Sequence, residues 1–230
     1  AELFLEQPGL EDMVVDSQGR LVVASGQEIF QVESTGITQQ IAVLPNPIQA
    51  IATYDKGLVV ATSEGLTFLG GEFDGKQLST FDGQPFQCIT ALCEGSDGRL
   101  LIAQGSLNSE YENWAKDLLN LGKSGRLLSF DPKSGLTQVR AQGLAYCYGV
   151  CVDATRTIVS ESWAHRISIL KDQKIESGLS HIPGYPSRLS KASDGGFWLT
   201  VFAPRSQLLE FVLREDAFRS EMMQTVEPKY

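Results

Sequence analysis

The sequence contains no apolar run of about 18 residues, the length a helix needs to cross a bilayer, so it holds no candidate membrane span. It also lacks a basic surplus. Nineteen Lys and Arg stand against 28 Asp and Glu, and the net charge of -9 argues against nucleic acid, whose phosphates need a positive surface. That balance suits a soluble domain and tolerates a bound cation. The chain opens AELFLEQPG, with neither an initiator Met nor the apolar core of a signal peptide. A removed leader or a domain of a larger protein is the expectation, and the compartment stays open between periplasmic or extracellular and cytoplasmic. Cysteine is scarce: Cys88, Cys93, Cys147 and Cys151 form no Cys-x-x-Cys pair, and no His stands beside them to complete a zinc set. They read either as buried free thiols or, in an oxidising compartment, as a bridge between neighbouring units. His165 and His181 are the only histidines, and Ser160, Ser162 and Ser187 sit in no G-x-S-x-G elbow, so no Ser/His/Asp triad is supported. No low-complexity segment divides residues 1–230, which read as one domain.

What the sequence does have is a repeat. Short apolar strands flank tight turns at Gly19, Gly57, Gly98, Arg156 and Gly195, at steps of 38, 41, 58 and 39 residues. A period near 40 built from short strands is the signature of a β-propeller, with one four-stranded blade per repeat. The blades fall at about 9–44, 45–83, 84–144, 145–184 and 185–230. The long step leaves room for an insertion at Ser106–Gly122, where Trp114, Leu118, Leu119 and Leu121 share one face of a short helix ended by Gly122. After FWLTV, the segment Pro204–Met223 has Leu208, Leu209, Val212, Leu213, Phe218 and Met222 near helical spacing, and Pro204 suits a helix start. The fold class is therefore all-β: a six-bladed β-propeller lacking its last blade or so, with two short inserted helices. A five-bladed ring closed by AELFLEQ is the weaker arrangement.

Three stretches resemble a known family. GRLLSFDPKSGLTQVRAQGLAYCYGVCVD (125–153) is similar to the hairpin and following strand of the strictosidine synthase-like propellers. IPGYPSRLSKASDGGFWLTV (182–201) resembles their PGYP…DGGFW segment, and GLEDMVVDSQGRLVV (9–23) their opening strand pair. The wider superfamily includes the gluconolactonase and regucalcin lactonases. The resemblance implies six blades and a site at the mouth of the central channel, where metal-binding relatives hold a divalent cation, usually Ca²⁺, on Glu, Asn and Asp.

Aligned on the turns, those positions are Glu11, Tyr148 and Ser187, with Arg188 adjacent. Glu11 is the expected metal ligand or general base, and Tyr148 and Arg188 complete the catalytic candidates. Ser187, Tyr185, Trp163 and His165 are the candidate ligand-binding residues. The alternatives at Glu11 are Ca²⁺, or a carboxylate satisfied by backbone N–H groups or by Arg188 in place of the metal. Trp114, Trp163 and Trp198 read as packing. Two functions follow from the resemblance: hydrolysis of small esters or lactones, or non-catalytic binding of a small molecule, in a domain of a larger, transporter-associated protein.

Overall fold

Each repeat begins with a turn whose chemistry is local. At the first, Gly19 takes φ +78° with open space around it, and the Asp16 carboxylate accepts from the backbone N–H of Gln18 and of Arg20, each at 2.9 Å. Gly98 and Gly195 repeat the left-handed turn at φ +73° and +87°. The second turn is built otherwise. Asp55 takes φ +52°, and Gly57 is already strand, because a Cβ there would lie 2.5 Å from the carbonyl oxygens of Leu69 and Gly70.

The computed structural model describes residues 6–153, 156–171 and 174–225. AELFL, the larger part of the AELFLEQ strand of the weaker five-bladed arrangement, and the residues beyond Thr225 lie outside them. Four antiparallel four-stranded sheets follow one another in chain order. They are β1–β4 (Leu10–Val15, Leu21–Ser25, Glu28–Val32, Thr38–Val43) and β5–β8 (Ile48–Tyr54, Gly57–Thr62, Gly65–Leu69, Gln77–Leu78). A small ladder of β9 (Thr80–Phe81) and β10 (Gln84–Pro85) intervenes. Then come β11–β14 (Ile89–Glu94, Leu100–Gln104, Gly125–Phe130, Thr137–Leu144) and β15–β18 (Cys147–Val152, Thr157–Glu161, Arg166–Lys171, Lys174–Leu179). A fifth sheet pairs β19 (Gly184–Lys191) with β20 (Phe197–Pro204). This is a β-propeller architecture, with β1, β5, β11, β15 and β19 side by side as innermost strands.

The core lies between blades, not within them. Phe68, Phe130, Ile89 and Leu100 are essentially fully buried where the second and third sheets face each other. Leu127, Cys147, Val150 and Val159 do the same for the third and fourth. Each large apolar side chain so buried is worth about 1.5–3 kcal/mol. Where no ladder runs between blades, side chains tie one blade to the inner strand of the next. Thr90 Oγ1 donates to the Cys147 carbonyl at 2.6 Å; Ser160 and Ser162 donate to the carbonyls of Ser187 and Pro186, each at 2.5 Å.

The helices depart from the sequence expectation in detail. The insertion carries a 3₁₀ turn, Tyr111–Asn113, and α1, Trp114–Leu119. Leu121, not Gly122, takes the left-handed conformation after α1, at φ +51°. Gly122 is needed for a different reason: a Cβ there would strike the buried Asp117 carboxylate at 2.2 Å. Pro204 ends β20 and does not start a helix. Ser206 is the N-cap, accepting from Leu209 N–H at 3.1 Å. The expected single helix is two, α2 (Gln207–Val212) and α3 (Asp216–Thr225). Bonds from Arg214 N–H to Phe211 O and from Glu215 N–H to Val212 O tighten and stop α2. Trp198 is 69% exposed and is not a core residue, whereas Trp114 packs its ring edge-to-face against Phe202 of β20 at 4.9 Å, the expected packing role. Among the described residues, no helix is long and apolar enough to cross a membrane.

All four cysteines are free; Cys88, Cys147 and Cys151 are buried and Cys93 is partly so. Burial pushes the Cys88 and Cys93 thiols up to about 11, so little thiolate exists near neutral pH. Unfolded without reductant, the protein should titrate four thiols with a disulfide reagent, and native protein should react slowly. Fewer than four thiols after unfolding would mean that a bridge had formed.

Candidate functional site

The innermost strands share one irregularity. The register slips at Leu10/Asp12 in β1, Ile48/Ala50 in β5, Ile89/Ala91 in β11, Cys147/Val150 in β15 and Pro186/Leu189 in β19. A bulge re-aims side chains and is a common neighbour of binding sites. The residues inside these slips are Glu11, Gln49, Thr90, Tyr148 with Gly149, and Ser187 with Arg188. A slip in each innermost strand thus sets equivalent positions in successive blades.

Three of the expected residues meet there. Arg188 Nη2 stands 3.5 Å from Glu11 Oε1, and the Arg188 guanidinium lies 5.9 Å from the centre of the Tyr148 ring. Three further residues complete the group: Gln49, which aligns with Glu11 one blade on, and Asp12 and Tyr111, which the sequence did not single out. Asp12 Oδ2 accepts from Arg188 Nη1 at 2.9 Å and from Ile51 N–H at 2.8 Å. The Gln49 carbonyl accepts from Arg188 Nη2 at 2.7 Å. The Tyr111 hydroxyl, carried in from the insertion, donates to Glu11 Oε1. Arg188 therefore spans from β19 to both β1 and β5.

The electrostatics follow from burial. Burial lifts the Asp12 carboxyl above the ordinary aspartate value, and the pull of Arg188 and of two backbone N–H groups only partly offsets this. Burial also works against the Arg188 charge, but Asp12, with Tyr111, Tyr148 and Glu11 behind it, outweighs that and holds its proton more tightly than usual. Burial raises the Tyr111 and Tyr148 hydroxyls above the free phenol, so both stay protonated. The Gln49 side-chain oxygen is buried with no hydrogen-bond partner. Two carboxylates face one guanidinium, and Glu11 keeps about a third of its side chain exposed.

The remaining expected residues lie apart from this group. The Ser187 hydroxyl is turned to the paired strand, 2.7 Å from Thr200 Oγ1. Tyr185, Trp163 and His165 form a second cluster. His165 and Tyr185 rings are 4.6 Å apart, Trp163 and Tyr185 5.8 Å. His165 Nδ1 meets the Gly184 carbonyl at 2.8 Å and its Nε2 lies 3.6 Å from Glu210 of α2. Trp163 Nε1 donates to the buried Asp117 at 2.7 Å. Rings link the two groups: Trp163 stacks near Tyr146 at 4.3 Å, and Tyr146 stands 5.9 Å from Tyr148.

A hard divalent cation wants a cage of oxygens at 2.3–2.6 Å. The residues here do not fit a resident Ca²⁺. The oxygens of Asp12, Gln49 and Glu11 already surround a guanidinium, Tyr148 presents a ring to it, and the Ser187 hydroxyl points elsewhere. Among the described residues, no group of three or more His, Cys, Asp or Glu could hold a metal ion.

No protein-family model matches the chain. Two proteins of Arabidopsis thaliana, strictosidine synthase-like 7 and strictosidine synthase-like 6, are each 27% identical to it over 158 residues. The chain is similar to the strictosidine synthase-like proteins. The match takes in 66% of the chain but 43% of each relative, so it spans less than half the length of these curated proteins. Among solved structures, a protein assigned as a gluconolactonase aligns with TM-score 0.64 at 14% identity, covering 84% of this chain and 72% of its own. An inactive H270A virginiamycin B lyase from Staphylococcus aureus, solved with quinupristin, aligns with TM-score 0.58 at 14% identity, covering 85% and 64%. At such identities the structural likeness shows the fold alone. It agrees with the propeller that the strictosidine synthase-like resemblance implies.

Proposed function

We propose that this strictosidine synthase-like propeller binds a small organic molecule at the end of the channel where the bulges converge. The observation that carries the reading is the set of bulge positions that gathers Glu11, Gln49, Tyr148 and Arg188 at one place, with an acceptor at Gln49 left unfilled. A buried acceptor without a donor costs about 1–3 kcal/mol, which a ligand N–H or O–H recovers. Two carboxylates against one guanidinium leave a negative surplus. A neutral or cationic molecule bearing donors suits the site, and a carboxylate does not. The quinupristin-bound lyase is a fold-level precedent for a propeller that holds a small molecule.

The test is a thermal-shift panel of amines, amides, polyols, lactones and carboxylates, since a ligand that binds only the folded state raises its melting temperature. Neutral or cationic members should stabilise the wild type, and Glu11→Gln or Gln49→Leu should abolish the shift. Hits confined to carboxylates, or hits indifferent to both substitutions, would overturn the reading.

Hydrolysis of small esters or lactones is the second reading, with Glu11 as general base and no metal step. The partial exposure of Glu11 favours it, because a water can reach that carboxylate as its hydrogen-bond acceptor. Turnover of an activated ester that disappears in Glu11→Gln would support it.

A further inference from the structure

Two of the cysteines stand at equivalent positions in successive blades. Thr90 and Tyr148 lie inside the slips of β11 and β15, and Cys93 and Cys151 each follow three residues later on the same two innermost strands. These strands run side by side. Cys93 packs against the cluster between the third and fourth sheets, to which Val150 and Val152 of β15 belong. The Val152 backbone N–H is a hydrogen-bond donor to both sulfurs, so the two thiols are near neighbours. They differ in access: Cys151 is 5% exposed, whereas Cys93 is partly open to solvent. We propose that Cys93 and Cys151 are a reversible redox couple, which a small disulfide converts into a covalent bridge between the third and fourth blades.

The oxidant is a low-molecular-weight disulfide. The Cys93 thiolate, on the accessible side, attacks one of its sulfurs. The reagent's S–S bond breaks, one half leaves as a thiolate and takes up a proton, and a mixed disulfide remains on Cys93. The Cys151 thiolate then attacks the Cys93 sulfur and releases the second half as a thiol. The protein gives up two protons and two electrons, and the reagent is reduced to two thiols. Burial raises both protein thiols, and the Val152 N–H and the Lys191 ammonium of β19 work against it at each. Cys93 is pushed up to about 11, so exchange is slow at neutral pH and quickens in alkaline solution. Cys88 and Cys147 do not compete. Both are buried, and Cys88 donates to the Tyr146 hydroxyl at 3.4 Å. The bridge joins two blades that otherwise meet through apolar packing and single bonds such as that of Thr90. Closing the long loop between Cys93 and Cys151 constrains the unfolded chain and so stabilises the fold.

The experiment incubates the reduced full chain at mildly alkaline pH with oxidised and reduced glutathione at several ratios. Free thiols are then trapped by alkylation, and the peptides are mapped without reduction. The thiol count should fall from four to two as the oxidised share rises, with a link between the peptides that carry Cys93 and Cys151. Dithiothreitol should restore all four. The bridged protein should melt roughly 5–10 °C above the reduced one. Cys151→Ser should stop at a glutathione adduct on Cys93, and Cys93→Ser should form no bridge. Should either variant fail to fold, the wild-type peptide map decides alone. A wild type that keeps four thiols at every ratio, stops at a mixed disulfide, or links any other pair of cysteines would overturn the proposal.

Discussion

Arg188→Ala should lower the melting temperature by roughly 5–15 °C near neutral pH, and by distinctly less at about pH 4.5. The Arg188 side chain is one-fifth exposed, and its guanidinium joins Asp12 and Glu11 of β1 to the Gln49 carbonyl of β5. Breaking a buried ion pair costs about 3–5 kcal/mol, because the abandoned charge keeps its burial penalty; discounting for the exposed fifth leaves about 2–4. The pH dependence fixes the cause. Burial already holds the Asp12 carboxyl above its ordinary value, and Arg188 is the largest influence opposing that rise. Losing Arg188 moves it further up. A carboxyl raised on folding contributes stability that is intact below the unfolded value near 3.8 and is lost as pH rises through the folded value. The variant therefore loses more than wild type as pH rises from about 3.8 through its own, higher folded value, and the gap between them widens across that interval and is then constant. Melting curves of both proteins across that range check this. A gap independent of pH would mean that Arg188 contributes packing and not charge.

Gly149→Ala should be the most damaging single-methyl change near the site, at about 3 kcal/mol. Gly149 lies inside the β15 bulge, and a Cβ there would sit 2.4 Å from the Ser187 carbonyl oxygen and 3.0 Å from Arg188 Cα. Both obstacles are backbone and cannot rotate aside. The same residue is knotted to β19 by one hydroxyl: Gly149 N–H donates to Ser160 Oγ at 2.7 Å, and Ser160 donates on to the Ser187 carbonyl. Pushing β19 outward therefore carries Arg188 away from Asp12. Gly19→Ala is the control. Gly19 has a left-handed φ of +78° and nothing within 4 Å, so it should cost only the conformational strain, about 1–2 kcal/mol. Equal melting losses for the two variants would mean that the close approach of β15 and β19 is not what Gly149 is for.

These residues also show where sequence reading stops. The propeller was legible because its turns repeat in both spacing and chemistry, as Gly19, Gly98 and Gly195 do. Gly57 kept the spacing for a different reason, close strand packing, so the period survived while its local explanation did not. Glu11, Tyr148 and Arg188 were legible because equivalent positions in successive blades converge. Asp12 was not. Strict alternation along a strand puts neighbours on opposite faces, and only the bulge at Leu10/Asp12 lets both carboxylates meet one guanidinium. Gln49 aligns with Glu11 one blade on, but its unsatisfied oxygen gave no signal, because that is a property of its surroundings. Tyr111 arrives on the insertion, 100 residues from Glu11 in sequence, where no repeat could place it. The helix divided at Leu213–Glu215 shows the limit of apolar spacing, which runs on through a turn that backbone bonds close.

The Arg188 bridge has a consequence for the order in which the molecule is assembled. The Asp12–Ile51 tie closes a loop of 39 residues, whereas Arg188 reaches Asp12 across 176. Loop-closure entropy alone makes the longer closure about 1.3 kcal/mol harder. Neighbouring blades can dock pairwise as the chain lengthens, but this contact has to wait until every described blade stands in place. This contact is thus a late-forming one whose integrity reports on every described blade. A chain damaged in any blade should lose its Arg188 anchorage before it loses the hairpins themselves.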